Sequence, residues 1–89
     1  MTDHEKQIFE SALNNYGMQN QMLKTYEECS ELINALSKYQ QFRATTQEVM
    51  TELADVSIMI DQMALKLGYD KFIAERARKV ERLKNRIEQ

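Results

Sequence analysis

Proline and tryptophan are absent from this 89-residue chain, and glycine occurs only as Gly17 and Gly68. Such a sequence has almost none of the turn chemistry that a sheet protein needs, while its abundant Leu, Glu, Lys, Gln, Met and Ala favour helix. An all-α domain is therefore expected. The single cysteine, Cys29, excludes an intramolecular disulfide and a cysteine-rich zinc site, and reads as a small core residue. No segment approaches the roughly 20 apolar residues of a membrane span. The opening "MTDHEKQIFE" has neither the basic flank nor the apolar run of a signal peptide. The expectation is a soluble cytoplasmic protein.

Net charge is small, −2, but unevenly spread: residues 1–70 hold 5 basic and 11 acidic groups, and residues 71–89 hold 7 basic and 3 acidic. One end suits cations and the other anions, although helices with solvated faces produce similar splits. The length supports one domain, residues 1–89. A chain of this size buries only about 60% of its unfolded surface, so partner subunits are expected.

Four helices follow from the apolar spacing. The first runs from about Asp3 to Tyr16, with Ile8, Phe9, Ala12, Leu13 and Tyr16 on one face and Gly17 as a left-handed stop. The second runs from about Gln19 to Gln41 along Met22, Tyr26, Cys29, Ile33, Leu36 and Tyr39 or Gln40, broadened by Leu32 and Ala35. Thr45 with Glu48 reads as a capping box opening the third. Its seam is Val49, Leu53, Val56, Ile60, Met63 and Leu67, and Gly68 ends it. Asp70 is the expected N-cap of the fourth, which packs through Ile73, Ala77, Val80, Leu83 or Lys84, and Ile87. The expected form is an antiparallel four-helix arrangement with two long central helices and an apolar flank that pairs with another copy.

Two acidic pairs interrupt this pattern. Glu28 and Glu31 in "TYEECSELINAL", and Glu52 and Asp55 in "TELADV", each place carboxylates three apart, on one helix face with Cβ atoms about 5–6 Å apart. All four sit at the margin of surfaces to be buried, and an antiparallel hairpin of helices 2 and 3 would let the pairs meet. Each acid taken alone reads as solvated surface. Together they repel, more strongly where desolvated, and a divalent cation would resolve the repulsion. Magnesium takes hard oxygen ligands and commonly sits beside substrate phosphates. A di-iron carboxylate site would add histidines in Glu-x-x-His motifs, but the one histidine is His4, far from both pairs. Glu27 and Asp61 are expected to face water. Tyr16, Tyr26, Phe42 and the methionines read as core, with base stacking by the aromatics or a base-pocket role for Met59 as the alternative.

Glu28-x-x-Glu31, 20 intervening residues, then Glu52-x-x-Asp55 resembles the signature of the MazG-like all-alpha nucleoside triphosphate pyrophosphohydrolases. "KTYEECSELINAL" and "VMTELADVSIMIDQM" are similar to that family's second and third helices, and the likeness spans about Gln19 to Leu83. It implies a helical bundle that forms a homodimer or homotetramer, with Mg²⁺ held by Glu28, Glu31, Glu52 and Asp55. It also implies cleavage of a nucleoside triphosphate between the α and β phosphates, giving monophosphate and pyrophosphate. "RKVERL" resembles the family's Lys-x-x-Arg element, which places phosphate contacts on Lys79 and Arg82. A solvated basic face is the other reading of those two. Lys24, one turn before Glu28, would pair with it or touch phosphate.

A non-catalytic helical dimer that binds a protein or a nucleotide is the competing function. Retention of all four acids opposes it, since a scaffold has no need of them. A nucleic-acid binder using the last helix ranks below both, because the rest of the chain is acidic.

Overall fold

A computed structural model describes all residues from Met1 to Gln89. It consists of four α-helices and no strand: α1 (Asp3–Tyr16), α2 (Met18–Gln40), α3 (Thr46–Leu67) and α4 (Tyr69–Ile87). No helix is long and apolar enough to cross a membrane.

The helix boundaries have local causes. The Thr45 hydroxyl accepts from the Glu48 N–H at 3.1 Å, and the Glu48 carboxylate accepts from the Thr45 N–H at 2.9 Å, completing the expected box. Thr2 and Glu5 form a second box of the same kind at the start of α1. Single glycines join α1 to α2 and α3 to α4. Gly17 adopts φ 85° and ψ 153°, so it is not the left-handed stop the sequence suggests but an extended positive-φ hinge, a region essentially restricted to glycine. A Cβ there would meet nothing within 4 Å; the restriction lies in the backbone, not in space. Gly68 occupies the position before α4, so Asp70 falls in the first helical turn and is not the N-cap. There its charge still favours the positive end of the helix dipole.

The α2–α3 connection closes differently. The Arg43 N–H donates to the Lys38 carbonyl at 2.8 Å and the Phe42 N–H to the Tyr39 carbonyl at 3.0 Å, the paired bonds of a Schellman motif. Its left-handed position, usually glycine, is held here by Phe42 at φ 60°.

α2 and α3 form the main hairpin, α1 packs across both, and α4 touches α3 alone. The surfaces that meet match the expected stripes only in part. α3 buries Val49, Val56, Met59, Gln62 and Ala64, while Leu53, Ile60 and Leu67 of the expected seam point outward. α2 buries Gln21 and Glu28 and leaves Tyr26, Ile33, Leu36 and Tyr39 exposed. Tyr16 and Phe42 are also exposed, against the expectation of core packing. α4 buries nothing: Ile73, Val80, Leu83 and Ile87 all remain open. The physical reason is that α2 and α3 each carry an apolar face wider than one contact. Within the chain they meet along an edge where Gln21, Glu28 and Gln62 are buried beside Val49, Val56, Met59 and Ala64.

The resulting shape is open. The radius of gyration is 15.4 Å, whereas a compact chain of this length has about 12 Å. The accessible surface is 6965 Å², roughly 1,500 Å² above that of a compact monomer of the same mass.

Candidate metal centre

The register of the α2–α3 hairpin is fixed by a buried amide pair. Gln21 Nε2 donates to Gln62 Oε1 at 2.7 Å, and Gln62 Nε2 reaches Met59 Sδ at 3.8 Å. Two turns further along α2, and two turns back along α3, this register sets Glu28 opposite Asp55. Neither partner of a buried amide bond can shift without leaving the other unsatisfied, which costs about 1–3 kcal/mol.

Both acidic pairs therefore come together. Carboxylate oxygens of Glu28, Glu52 and Asp55 lie within 4.8 Å of one another, and those of Glu27, Glu28 and Glu31 form an overlapping group of the same size. Glu28 is shared, and it is only 5% exposed. Its Oε1 accepts an ion pair from Lys24 Nζ at 3.1 Å, while its Oε2 and the Oε2 of Glu52 are buried without any hydrogen-bond partner. Buried carboxylate oxygens are ordinarily paired, because desolvating a charge without a partner is costly. Both oxygens belong to the group of Glu28, Glu52 and Asp55, where a cation would give each a partner.

The electrostatics agree. Glu31 is held above the ordinary carboxyl value of 4.5, first by the charge of Glu28, then by burial, then by the charge of Glu52. Lys24 is pushed up, chiefly by its hydrogen bond to Glu28 and by the charge of Glu27. One ammonium thus serves Glu28 and, at 3.8 Å, Glu27. No cation of the chain forms an ion pair with Glu31, Glu52 or Asp55. A hard divalent ion fits this all-oxygen donor set, whereas the absence of histidine and thiolate ligands disfavours zinc and iron.

The remaining expected residues fall into two groups. Lys24 stands at the cluster, as a partner of its acids. Lys79 and Arg82 are exposed on α4, a helix that packs only on α3, and within one chain they do not line the acidic cleft. Met59 is buried in the hairpin beside Gln62 and is core. Glu27 is exposed as expected, yet stands within reach of Glu28 and Glu31; Asp61 is half-buried.

Sequence reasoning missed the residues that complete the site. Beyond Glu31 and Glu52 the hairpin opens into a cleft of about 310 Å³, whose walls include Asn34, Lys38, Arg43 and Glu48. Lys38 follows Glu31 by two turns on the same helix face, a spacing that was readable. Arg43 sits in the connection and reaches the cleft only through the left-handed turn at Phe42, which no periodicity announces. Gln21 and Gln62 were legible as polar residues two turns from the acids. Searches for a matching protein family, curated protein or solved structure find none for this chain.

Proposed function

We propose that the chain is a magnesium-dependent nucleoside triphosphate pyrophosphohydrolase acting in nucleotide-pool cleanup, and that Glu28, Glu31, Glu52 and Asp55 hold the metal. The observation that carries this reading is the pair of buried, unpartnered oxygens on Glu28 and Glu52, two members of the acid group that Asp55 completes, with Glu31 joined to it through Glu28. Solvated acids would not leave two oxygens buried and unpartnered.

Hydrolysis between the α and β phosphates joins a water oxygen to one of these two phosphorus atoms. The bond from that phosphorus to the bridging oxygen breaks, and the electron pair leaves with the other fragment, so that monophosphate and pyrophosphate result from attack at either atom. Bound magnesium would supply charge neutralisation on the phosphates and acidify water. The chain's own part is to hold four carboxylates in one register, to leave one glutamate free to accept the water's proton, and to place cations against the phosphate oxygens. The half-buried position of the cluster strengthens each of these interactions relative to open water.

The reading includes a homodimer, or a higher homo-oligomer built from it. Leu53 and Ile60 of α3 with Ile73, Val80 and Leu83 of α4 leave an apolar surface open. The excess of roughly 1,500 Å² per chain equals what each partner of a large obligate interface contributes. A second copy seated there would bring its own Lys79 and Arg82, the cations that one chain keeps away from its own acids.

The deciding experiment measures pyrophosphate release from ribo- and deoxyribonucleoside triphosphates, with Mg²⁺ and with chelator. Chelator-sensitive release of pyrophosphate and monophosphate, lost in Glu52→Gln and Asp55→Asn, is the expected result. Full activity in both variants would dismiss the metal site.

A further inference from the structure

The cleft beside the acids has a second, basic wall. Lys38 and Arg43 both line it, together with Glu31 and Glu52. Neither cation lies within ion-pair distance of a carboxylate, although three carboxylates share the cleft. Glu48 is engaged, its Oε2 accepting from the Thr45 backbone at 2.9 Å. Arg43 has only a 3.4 Å contact with the Gln41 side chain. Two cations are thus held beside an acidic cluster without being consumed by it.

The backbone that places Arg43 is strained. Phe42 adopts φ 60° with its ring 98% exposed, so no packing of that side chain accounts for the conformation. The left-handed turn lets the Arg43 N–H bond the Lys38 carbonyl at 2.8 Å, which fixes the two cationic residues against each other. A phenylalanine kept in a region that favours glycine, at the mouth of a cleft, suits a turn whose geometry serves a site.

We infer that Lys38 and Arg43 form the anion-holding half of the cleft and grip the terminal phosphates of a polyphosphate chain whose other end lies at the four acids. This rests on the metal-centre reading proposed above. Lys38 stands about 10 Å along α2 from Glu31, a span that a phosphate chain and the lysine's flexible stem bridge together. Arg43 contributes a planar fork able to bind phosphate oxygens bidentately, and Lys38 a mobile point charge. The volume of about 310 Å³ lies at the lower end for small-ligand sites. Glu31, Glu48 and Glu52 outnumber the two cations, so the cleft attracts an anion only once a divalent ion has offset the acids. The site is therefore ordered, with metal first and phosphate second.

The test uses full-length protein and two probes, Mn²⁺ alone by electron paramagnetic resonance and Mg²⁺–inorganic triphosphate by calorimetry. Lys38→Gln and Arg43→Gln should each weaken triphosphate binding at least tenfold while changing Mn²⁺ affinity less than twofold. Arg43→Lys should recover part of the loss. The α,β-methylene analogues of the common nucleoside triphosphates should show the same losses, which would mark the tail of a nucleotide and not free polyphosphate alone as the ligand. Unchanged triphosphate affinity in the double variant, or no triphosphate binding to the wild type, overturns the inference. Failure of Mn²⁺ to bind the wild type overturns the metal reading, and the metal-first order with it; triphosphate binding that still depends on Lys38 and Arg43 would then uphold only their assignment as the anion-holding wall.

Discussion

Glu52→Gln offers the sharpest separation between a metal centre and a merely acidic surface. Glu52 faces Glu28 and Asp55 with oxygens no more than 4.8 Å apart. At that separation each like-charge pair costs about 0.9 kcal/mol in water and about 3.5 kcal/mol at an effective dielectric of 20. Glu52 is half-buried, so screening keeps the value near the lower figure, and two neighbours together give about 2 kcal/mol. The amide is nearly isosteric with the carboxylate and adds donors beside the orphaned oxygen of Glu28. In chelator the variant should therefore be more stable than the wild type by about 1–2 kcal/mol, which for a domain of this size raises Tm by roughly 5–10 °C.

Magnesium, if held as proposed, should reverse the order. A cation present at roughly a hundred times its Kd stabilises the folded wild type by about 2.7 kcal/mol. The variant, with the cluster reduced by one charge and one ligand, should gain little. Thermal melts followed by circular dichroism, at one protein concentration, with chelator and then with a Mg²⁺ series, read both effects. A variant that melts lower than the wild type in chelator would show Glu52 to be a structural group. Equal Mg²⁺ gains in both proteins would show that the ion acts elsewhere.

Other consequences are open to simple measurement. The raised proton affinity of Glu31 means that its charged form opposes folding above its folded pKa, a penalty that vanishes below the ordinary 4.5. In chelator, urea midpoints should rise as pH is lowered from neutral toward 4.5, and Glu31→Gln or saturating Mg²⁺ should flatten that rise; a steady fall over the same range would refute it. Glu5 and Glu75 are held down, by the Thr2 cap and by Arg78 respectively, so their stabilising share persists above 4.5 and is lost as pH drops through their lowered values. Phe42→Gly should raise stability by about 0.5–1 kcal/mol by relieving the left-handed phenylalanine, net of glycine's greater unfolded-state freedom; a loss would mean that the ring is buried by a partner. Val80→Glu should convert an oligomer to monomer in light scattering at micromolar concentration, with helicity kept, and a wild type that is itself monomeric would refute the proposed interface.

The helices were legible in the sequence because their signals are local. Thr45 with Glu48, the two glycines and the absence of proline set every boundary to within a residue or two. The facing of the helices was not legible. Val49, Leu53, Val56, Ile60, Met63 and Leu67 make the most regular apolar line in α3, and apolar spacing alone assigns them to the core. The chain buries Val49 and Val56 of that line but leaves Leu53, Ile60 and Leu67 outside, and completes the contact with Met59 and Gln62 of a neighbouring stripe, beside which Glu52 and Asp55 are half-buried. Periodicity ranks stripes by hydrophobicity; it does not say whether the best stripe meets another helix of the same chain or another molecule. The same blindness hid the exposure of Tyr26 and Ile33 on α2.

The polar hairpin is best understood through that choice. A pair of helices whose contact includes Gln21, Glu28, Asp55 and Gln62 beside Val49, Val56, Met59 and Ala64 is held less firmly than one joined along leucine and isoleucine throughout, because apolar burial contributes about 25 cal/mol per Å² and buried acids contribute nothing until they are paired. What the polar stripe supplies is register. A sliding apolar seam tolerates several alignments at similar energy, whereas the 2.7 Å bond between Gln21 and Gln62 has one. Each turn of slippage would carry Glu28 away from Asp55 by about 5.4 Å and break the acid cluster. The two faces of the hairpin thus differ: amides and acids on the inner edge fix where the carboxylates stand, and the apolar outer edge is left open, which on the proposed reading a second copy buries. This division makes the acid cluster a source of instability in the isolated chain, which under the proposed function a cation inside and a partner outside would relieve. It predicts that metal and self-association each stabilise the fold independently, so that their effects on the unfolding free energy add.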